Sequence, residues 1–279
     1  MKGTVNTTAA AVRSDARFCF ARMPDGTRLR YFRQGPPDAP AILMLHGLSD
    51  SSFSFSRILP LIPPQFQAIA LDQRGHGESD RPAAGYDLTG LASDAIHVLD
   101  AAHVKQAVVV GHSLGTFVAR TMAALAPDRV ASLVLLDPGP LGTNPVVDEL
   151  WNYVSQMSDP VDPAFVREFQ ESCISRPVPA EFMDLVVQES LKLPPAVWRA
   201  ALAGMMAYDP VEGRITCPTL VLGGEHDAVF SVEEITAVAS RIKAGRVRIL
   251  EGIGHTPHWE DPRTAIAILL DEVAATRPT

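Results

Sequence analysis

The stretch QAVVVGHSLGTFVAR, residues 106–120, decides how the chain folds. Val108, Val109 and Val110 are three consecutive β-branched residues, which favour a strand, and a run apolar on both faces suits a strand covered by helices on each side. The run breaks at Gly111, His112, Ser113, Leu114 and Gly115, then continues in small and apolar residues of helical character. A strand that passes through G-x-S-x-G into a helix needs a tight turn, and the glycines leave room for strand and helix to approach closely. Ser113 at the tip is driven into a strained backbone conformation that presents its hydroxyl as a nucleophile. The alternative is a loop serine that caps the helix by accepting a backbone N–H.

Working outward, the same kind of strand recurs. AILMLHG, FQAIALD, SLVLLDP, TLVLGGEHD and RVRILEG are short apolar runs that close on Gly, Asp, Pro or His, and most are separated by helix-length segments. Near-continuous apolar strands alternating with helices imply an α/β fold with a mainly parallel sheet. Before them, ARFCFARM, PDGT and RLRYFRQ read as an antiparallel hairpin at the sheet edge. Between LLDPGP and RITCPTLVL the strand pattern stops, and PVVDELWNYVSQM, PAFVREFQESC, PAEFMDLVVQESL and PPAVWRAALAGMMAY read as amphipathic helices. Prolines stand at or near each start, where a fixed φ suits the first turn and the missing N–H costs nothing. The segment 139–210 is therefore read as a helical cap inserted after the sixth strand, with 1–138 and 211–279 forming the core. No internal repeat is visible.

Composition narrows the function. The chain has 279 residues, 47% of them hydrophobic and 20% charged, with a formal net charge of -8. An acidic surface repels nucleic acid and anionic membranes, so neither is an expected partner. Three cysteines, Cys19, Cys173 and Cys217, are widely spaced and contain no C-x-x-C pair, which indicates neither a zinc site nor a disulfide framework. The start, MKGTVNTTAAAVRSDAR, lacks an apolar core of signal-peptide length and reads as a frayed terminus. A cytoplasmic location is the expectation.

A serine hydroxyl is a weak nucleophile and needs a base, with a third group to orient that base. Among eight histidines, His46, His76, His97, His103, His112 and His226 are read as packing or hydrogen-bonding residues. His255 lies in EGIGHTPHWEDP, on a glycine-flanked loop past the last strand and before a helix, at the sheet end where the Ser113 turn emerges. His258, three residues on, is the reserve. Two aspartates close strands: Asp227 after TLVLGGEH and Asp137 after SLVLL. Both fall at carboxyl ends of strands, where ligands bind in open α/β sheets. The longer loop of Asp227 suits a reach toward the histidine, whereas Asp137, followed at once by Pro138, suits a structural place.

Taken together, LHG, DQRGHGES, GHSLG, GEHD and GIGHTPHWEDP, after the third, fourth, fifth, seventh and eighth strands, resemble the successive landmarks of the α/β-hydrolase superfamily over nearly the whole chain. The resemblance implies an eight-stranded, mostly parallel sheet and the chain order nucleophile, acid, histidine, hence Ser113, Asp227 and His255. It further implies an oxyanion hole from the backbone N–H groups of Leu48 and Leu114, and a bracing role for Asp72, Arg74 and Gly75.

The chemistry these residues predict is hydrolysis of an ester or lactone through an acyl-enzyme, with water as co-substrate and no metal or cofactor implied. Serine in place of a carboxylate nucleophile disfavours epoxide hydrolases and haloalkane dehalogenases. A C–C bond hydrolase of the meta-cleavage type would use the same triad, but Thr256 stands where such enzymes carry an aromatic residue. A perhydrolase is compatible with the same residues, and a hydrolase-fold ligand receptor would not need an intact triad. Cap aromatics and methionines at helical spacing mostly read as the cap's own core. A subset drawn from Phe53, Phe55, Trp151, Trp198 and Met205 is expected to face a moderately hydrophobic small-molecule substrate.

Overall fold

The computed structural model describes residues 15–275, so the expected frayed start lies outside it. β1 (Arg17–Arg22) and β2 (Arg28–Gln34) form an antiparallel hairpin. It turns through Gly26 at φ 90°, with the Met23 N–H donating to the Thr27 carbonyl at 2.8 Å. β3 (Ala41–Leu45), β4 (Gln67–Leu71), β5 (Ala107–His112), β6 (Val130–Leu136), β7 (Thr219–Gly224) and β8 (Gly245–Leu250) pair in parallel, and β2 joins them antiparallel against β4. The 8-stranded order is β1-β2-β4-β3-β5-β6-β7-β8, which places β5 near the middle of the sheet.

Helices cover both faces. α1 (Leu88–Ala101) and α2 (Leu114–Leu125) flank β5 in sequence, and α3 (Pro145–Val154), α4 (Pro163–Ser172), α5 (Ala180–Leu191) and α6 (Pro195–Met206) fill the interval between β6 and β7. α7 (Val232–Ser240) lies between β7 and β8, and α8 (Pro257–Glu260) and α9 (Pro262–Ala275) end the described chain. Side chains alternate across the sheet. Val109, Leu43 and Leu133 enter a core shared with Leu91, Phe117 and Ile235, whereas Val108, Val110 and Met44 enter a second core with Ile266 and Leu269. This double burial is why β5 reads as an unbroken valine run. β8 departs from that pattern: Arg246, Val247 and Arg248 are exposed, because β8 is the far edge and only its last residue is buried.

Proline occupies the first helical position of α3 (Pro145), α4 (Pro163) and α6 (Pro195), and the Asn144 and Asp162 side chains cap the first two of these.

What positions the site is the contact of α2 with β3 and β5. A Cβ on Gly115 would stand 2.1 Å from the Leu45 carbonyl oxygen, and one on Gly111 would stand 2.4 Å from the Gly115 carbonyl oxygen. The obstacles are backbone atoms, which cannot rotate aside. Gly115→Ala and Gly111→Ala should each destabilise the fold by about 3 kcal/mol or more, read as a fall in denaturation midpoint. A midpoint within experimental error of the wild type would contradict this packing.

Candidate active site

Ser113 joins β5 to α2 at φ 50° and ψ -118°, a conformation sparsely populated for any residue with a side chain. Its N–H donates to the Leu136 carbonyl at 3.0 Å, tying the turn to β6. The hydroxyl makes no capping hydrogen bond with α2, so the helix-capping alternative does not describe it. Leu114 is the first residue of α2, where the N–H has no intrahelical partner. Among the described residues the Leu48 N–H also finds no backbone acceptor. Both amides are therefore unspent beside Ser113, and Leu48 and Ser113 line one cavity.

Past the carboxyl ends of β7 and β8, the loops bring Asp227 and His255 together: His255 Nδ1 donates to Asp227 Oδ2 at 2.9 Å, with both side chains almost fully buried. The other Asp227 oxygen accepts from the N–H groups of Val229 at 2.7 Å and Phe230 at 3.1 Å. Burial works against the charge on Asp227, but the imidazole and these two amides outweigh it and hold the carboxyl below its usual range. Asp137 lies beside them, with one polar atom each of Asp137, Asp227 and His255 within 4.8 Å of one another. Nδ1 of His255 is already committed to Asp227, so the three form a proton-bearing cluster and not an open set of cation ligands.

The His255 loop is held from outside the sheet. Its N–H donates to the carbonyl of Cys173, just past α4, at 2.9 Å. Glu260 accepts from the N–H groups of Gly254, Ser175 and Arg176 at 3.0, 2.8 and 2.7 Å, joining the same two segments. The sequence contained no signal for this fastening beyond the glutamate itself.

Four other histidines are buried and neutral. Burial lowers His46 to about 4 and His76 and His112 to about 3, and it takes His258 well below the ordinary value. His46 accepts from the Gln73 N–H at 3.0 Å, His112 donates through Nε2 to the His255 carbonyl at 2.9 Å, and His258 Nε2 lies 3.0 Å from Ser54 Oγ. His258 thus supports the loop that carries Ser54 and is not in the cluster with Asp227.

Ser113 and His255 open on a cavity of about 220 Å³, lined by Leu48 and Asp50, by Val147 and Leu150 of α3, by Phe169 and Gln170 of α4, by Met205 of α6, and by Phe230 and Trp259. Of the five side chains expected to face substrate, Met205 lines this cavity. Trp198 and Phe55 are fully buried elsewhere: Trp198 packs edge-on to Phe165 and Phe169 with centroids 5.9 and 5.6 Å away, and Phe55 packs in the core under the sheet. Phe53 stacks on Phe182 and lines a separate surface groove, and Trp151 packs against the main core. Helical spacing shows which side chains share a face but not what that face meets.

A family model of the alpha/beta hydrolase fold matches residues 40–183. The chain belongs to that family and is a hydrolase. It is 27% identical over 247 residues to 2-(acetamidomethylene)succinate hydrolase of Mesorhizobium japonicum, covering 85% of this chain and 88% of that one. Over 114 residues, 39% of this chain and 32% of the other, it is 40% identical to epoxide hydrolase B of Mycobacterium tuberculosis. A putative aryl esterase from Burkholderia cenocepacia superposes with a TM-score of 0.84 at 24% identity, over 93% of this chain and 99% of that one. Among the described residues no helix is long and apolar enough to cross a membrane.

Asp50 lines the cavity too, without belonging to any motif in the sequence. It accepts from Gln170 Nε2 at 3.2 Å and Ser54 Oγ at 3.1 Å, and its carboxyl faces His112 Nδ1, which lacks a hydrogen bond, at 3.8 Å. Burial raises its carboxyl from 3.8 to about 7 against the pull of those two donors. A carboxyl raised by folding takes up a proton on folding, so the stability it contributes is present below about pH 4 and is lost as pH rises through 7. Between pH 5 and 8 the wild type should lose roughly 2–3 kcal/mol more unfolding free energy than Asp50→Asn, measured by denaturant titration at each pH. Parallel losses in the two proteins would refute this.

Proposed function

We propose that the protein is a serine hydrolase that cleaves carboxylic esters or lactones through an acyl-enzyme. The observation that carries the reading is the strained Ser113, free of a capping role, sharing a cavity with His255, whose other ring nitrogen is bonded to Asp227. His255 Nε2 takes the Ser113 proton as Oγ attacks the carbonyl carbon, while Nδ1–H stays on Asp227, whose charge steadies the imidazolium. The oxyanion is met by the Leu48 and Leu114 N–H groups, and one such pre-aimed donor contributes on the order of 3 kcal/mol to the transition state. The proton then passes to the departing alkoxide, and water, deprotonated by the same imidazole, releases the acid and restores Ser113.

The helices α3 to α6, within 139–210, serve in this reading as a cap that closes the cavity from above. Their contribution to its wall is mainly apolar, from Val147, Leu150, Phe169 and Met205 beside the polar Gln170 and Ser172, which favours a moderately hydrophobic acyl or aryl group. The Burkholderia structure, described as a putative aryl esterase, is in keeping with that choice. The partial likeness to an epoxide hydrolase does not carry that activity over, because the nucleophile position holds Ser113 and not a carboxylate.

Ser113→Ala should lower kcat on p-nitrophenyl esters by on the order of a million-fold, and Asp227→Asn by roughly ten-thousand-fold. Turnover retained in folded Ser113→Ala would overturn the mechanism. On the wild type, medium-chain and aryl esters should be cleaved faster than acetyl esters, as measured by kcat/KM. The reverse order would refute the apolar acyl site.

A further inference from the structure

Asp137 stands at the carboxyl end of β6 at φ 51°, in the left-handed region where Asn and Asp are the side-chain-bearing residues best tolerated. Its N–H donates to the Leu222 carbonyl at 2.9 Å, and its Oδ1 accepts the Gly224 N–H at 2.7 Å. The second oxygen, Oδ2, is sealed from solvent, and among the described residues no donor reaches it. A buried carboxylate oxygen without a donor is costly, and the cost disappears if that oxygen carries a proton and has an acceptor to give it to. The acceptor is at hand, because Asp227 belongs to the same cluster.

Two carboxyl groups in one buried cluster oppose each other's ionisation, so one of them is pushed to keep its proton. The surroundings decide which keeps the proton. Asp227 receives two backbone N–H bonds and the imidazole Nδ1–H, all of which favour its charge, whereas Asp137 receives one amide and no cation. We propose that Asp137 is a neutral carboxylic acid whose Oδ2–H donates to Asp227, making it a positioning residue behind the Ser113, His255 and Asp227 triad. Burial, and then the Asp227 charge, raise Asp137 well above the usual carboxyl range, and Glu260 on α8 adds to the push. The other groups that face the cluster are His255 and, through it, His112, His258 and Asp50, of which the two other histidines are neutral.

The consequence is a damped acid. A donor on Asp227 spreads its charge and weakens its grip on the protonated imidazole, so the base is released from its proton at lower pH than an unassisted aspartate would allow. Asp137→Asn keeps the geometry: the amide oxygen accepts from Gly224, the NH₂ donates to Asp227, and asparagine tolerates the left-handed backbone. Asp137→Ala removes the donor.

The proposal rests on the triad reading, and its test separates the two. At pH 8, the infrared difference spectrum between the wild type and Asp137→Asn should contain the carbonyl stretch of a protonated carboxylic acid, contributed by the wild type. The kcat/KM profile of Asp137→Asn should follow the wild type within about threefold. In Asp137→Ala its acid limb should move upward by roughly one pH unit, the worth of one charge-assisted hydrogen bond. Absence of the acid band, or a loss in Asp137→Asn as large as that in Asp227→Asn, would overturn the proposal. Turnover retained by Ser113→Ala would overturn the triad and leave the infrared result standing.

Discussion

The approach of α2 to β3 is the constraint on which the rest of the site depends. The Leu45 carbonyl occupies the space a side chain at Gly115 would need, so the helix can start only where it does, and the chain between β5 and α2 has room for a single strained residue. That residue is Ser113. The Asp227 and His255 loops reach the same place, because the parallel order of β5, β6, β7 and β8 puts the loops after these strands at one end of the sheet. Strain at Ser113 is sustained by the surrounding ladder, including the bond from its N–H to Leu136 on the neighbouring strand.

Much of this was legible in the chain itself. The three valines before the turn, and the glycines on either side of Ser113, reflect local steric demands that act over a few residues, and such demands leave a mark on sequence. Asp227 and His255 were legible for a different reason: each lies in the loop after a strand, and the strand ends of a parallel sheet converge. In sequence β8 looks like the buried central strands, because of Val247 and Ile249, while its place at the sheet edge depends on pairing that sequence does not display.

The cavity was less legible. Asp50 sits in a serine-rich loop that looks solvated, and it is buried by Gln170, 120 residues away, and by Ser54 four residues on. Trp198 and Phe55 looked like substrate walls by size and turned inward to pack, since an aromatic side chain reports its appetite for burial and not its partner. Asp137 was read as a structural strand end, and its enclosed second oxygen emerges only when the loops after β6 and β7 are seen together.

The His255 N–H bond to the Cys173 carbonyl has an evolutionary side. The residue that follows α4, Cys173, both lines the cavity and holds the His255 loop, the latter through main-chain atoms. Exchanges of side chain at Phe169, Gln170 or Cys173 can therefore reshape the pocket while the suspension survives. Insertions or deletions between α4 and α5 would change the pocket and the placement of His255 together. A change in the length of this segment is therefore more disruptive to the site than a change of side chain within it.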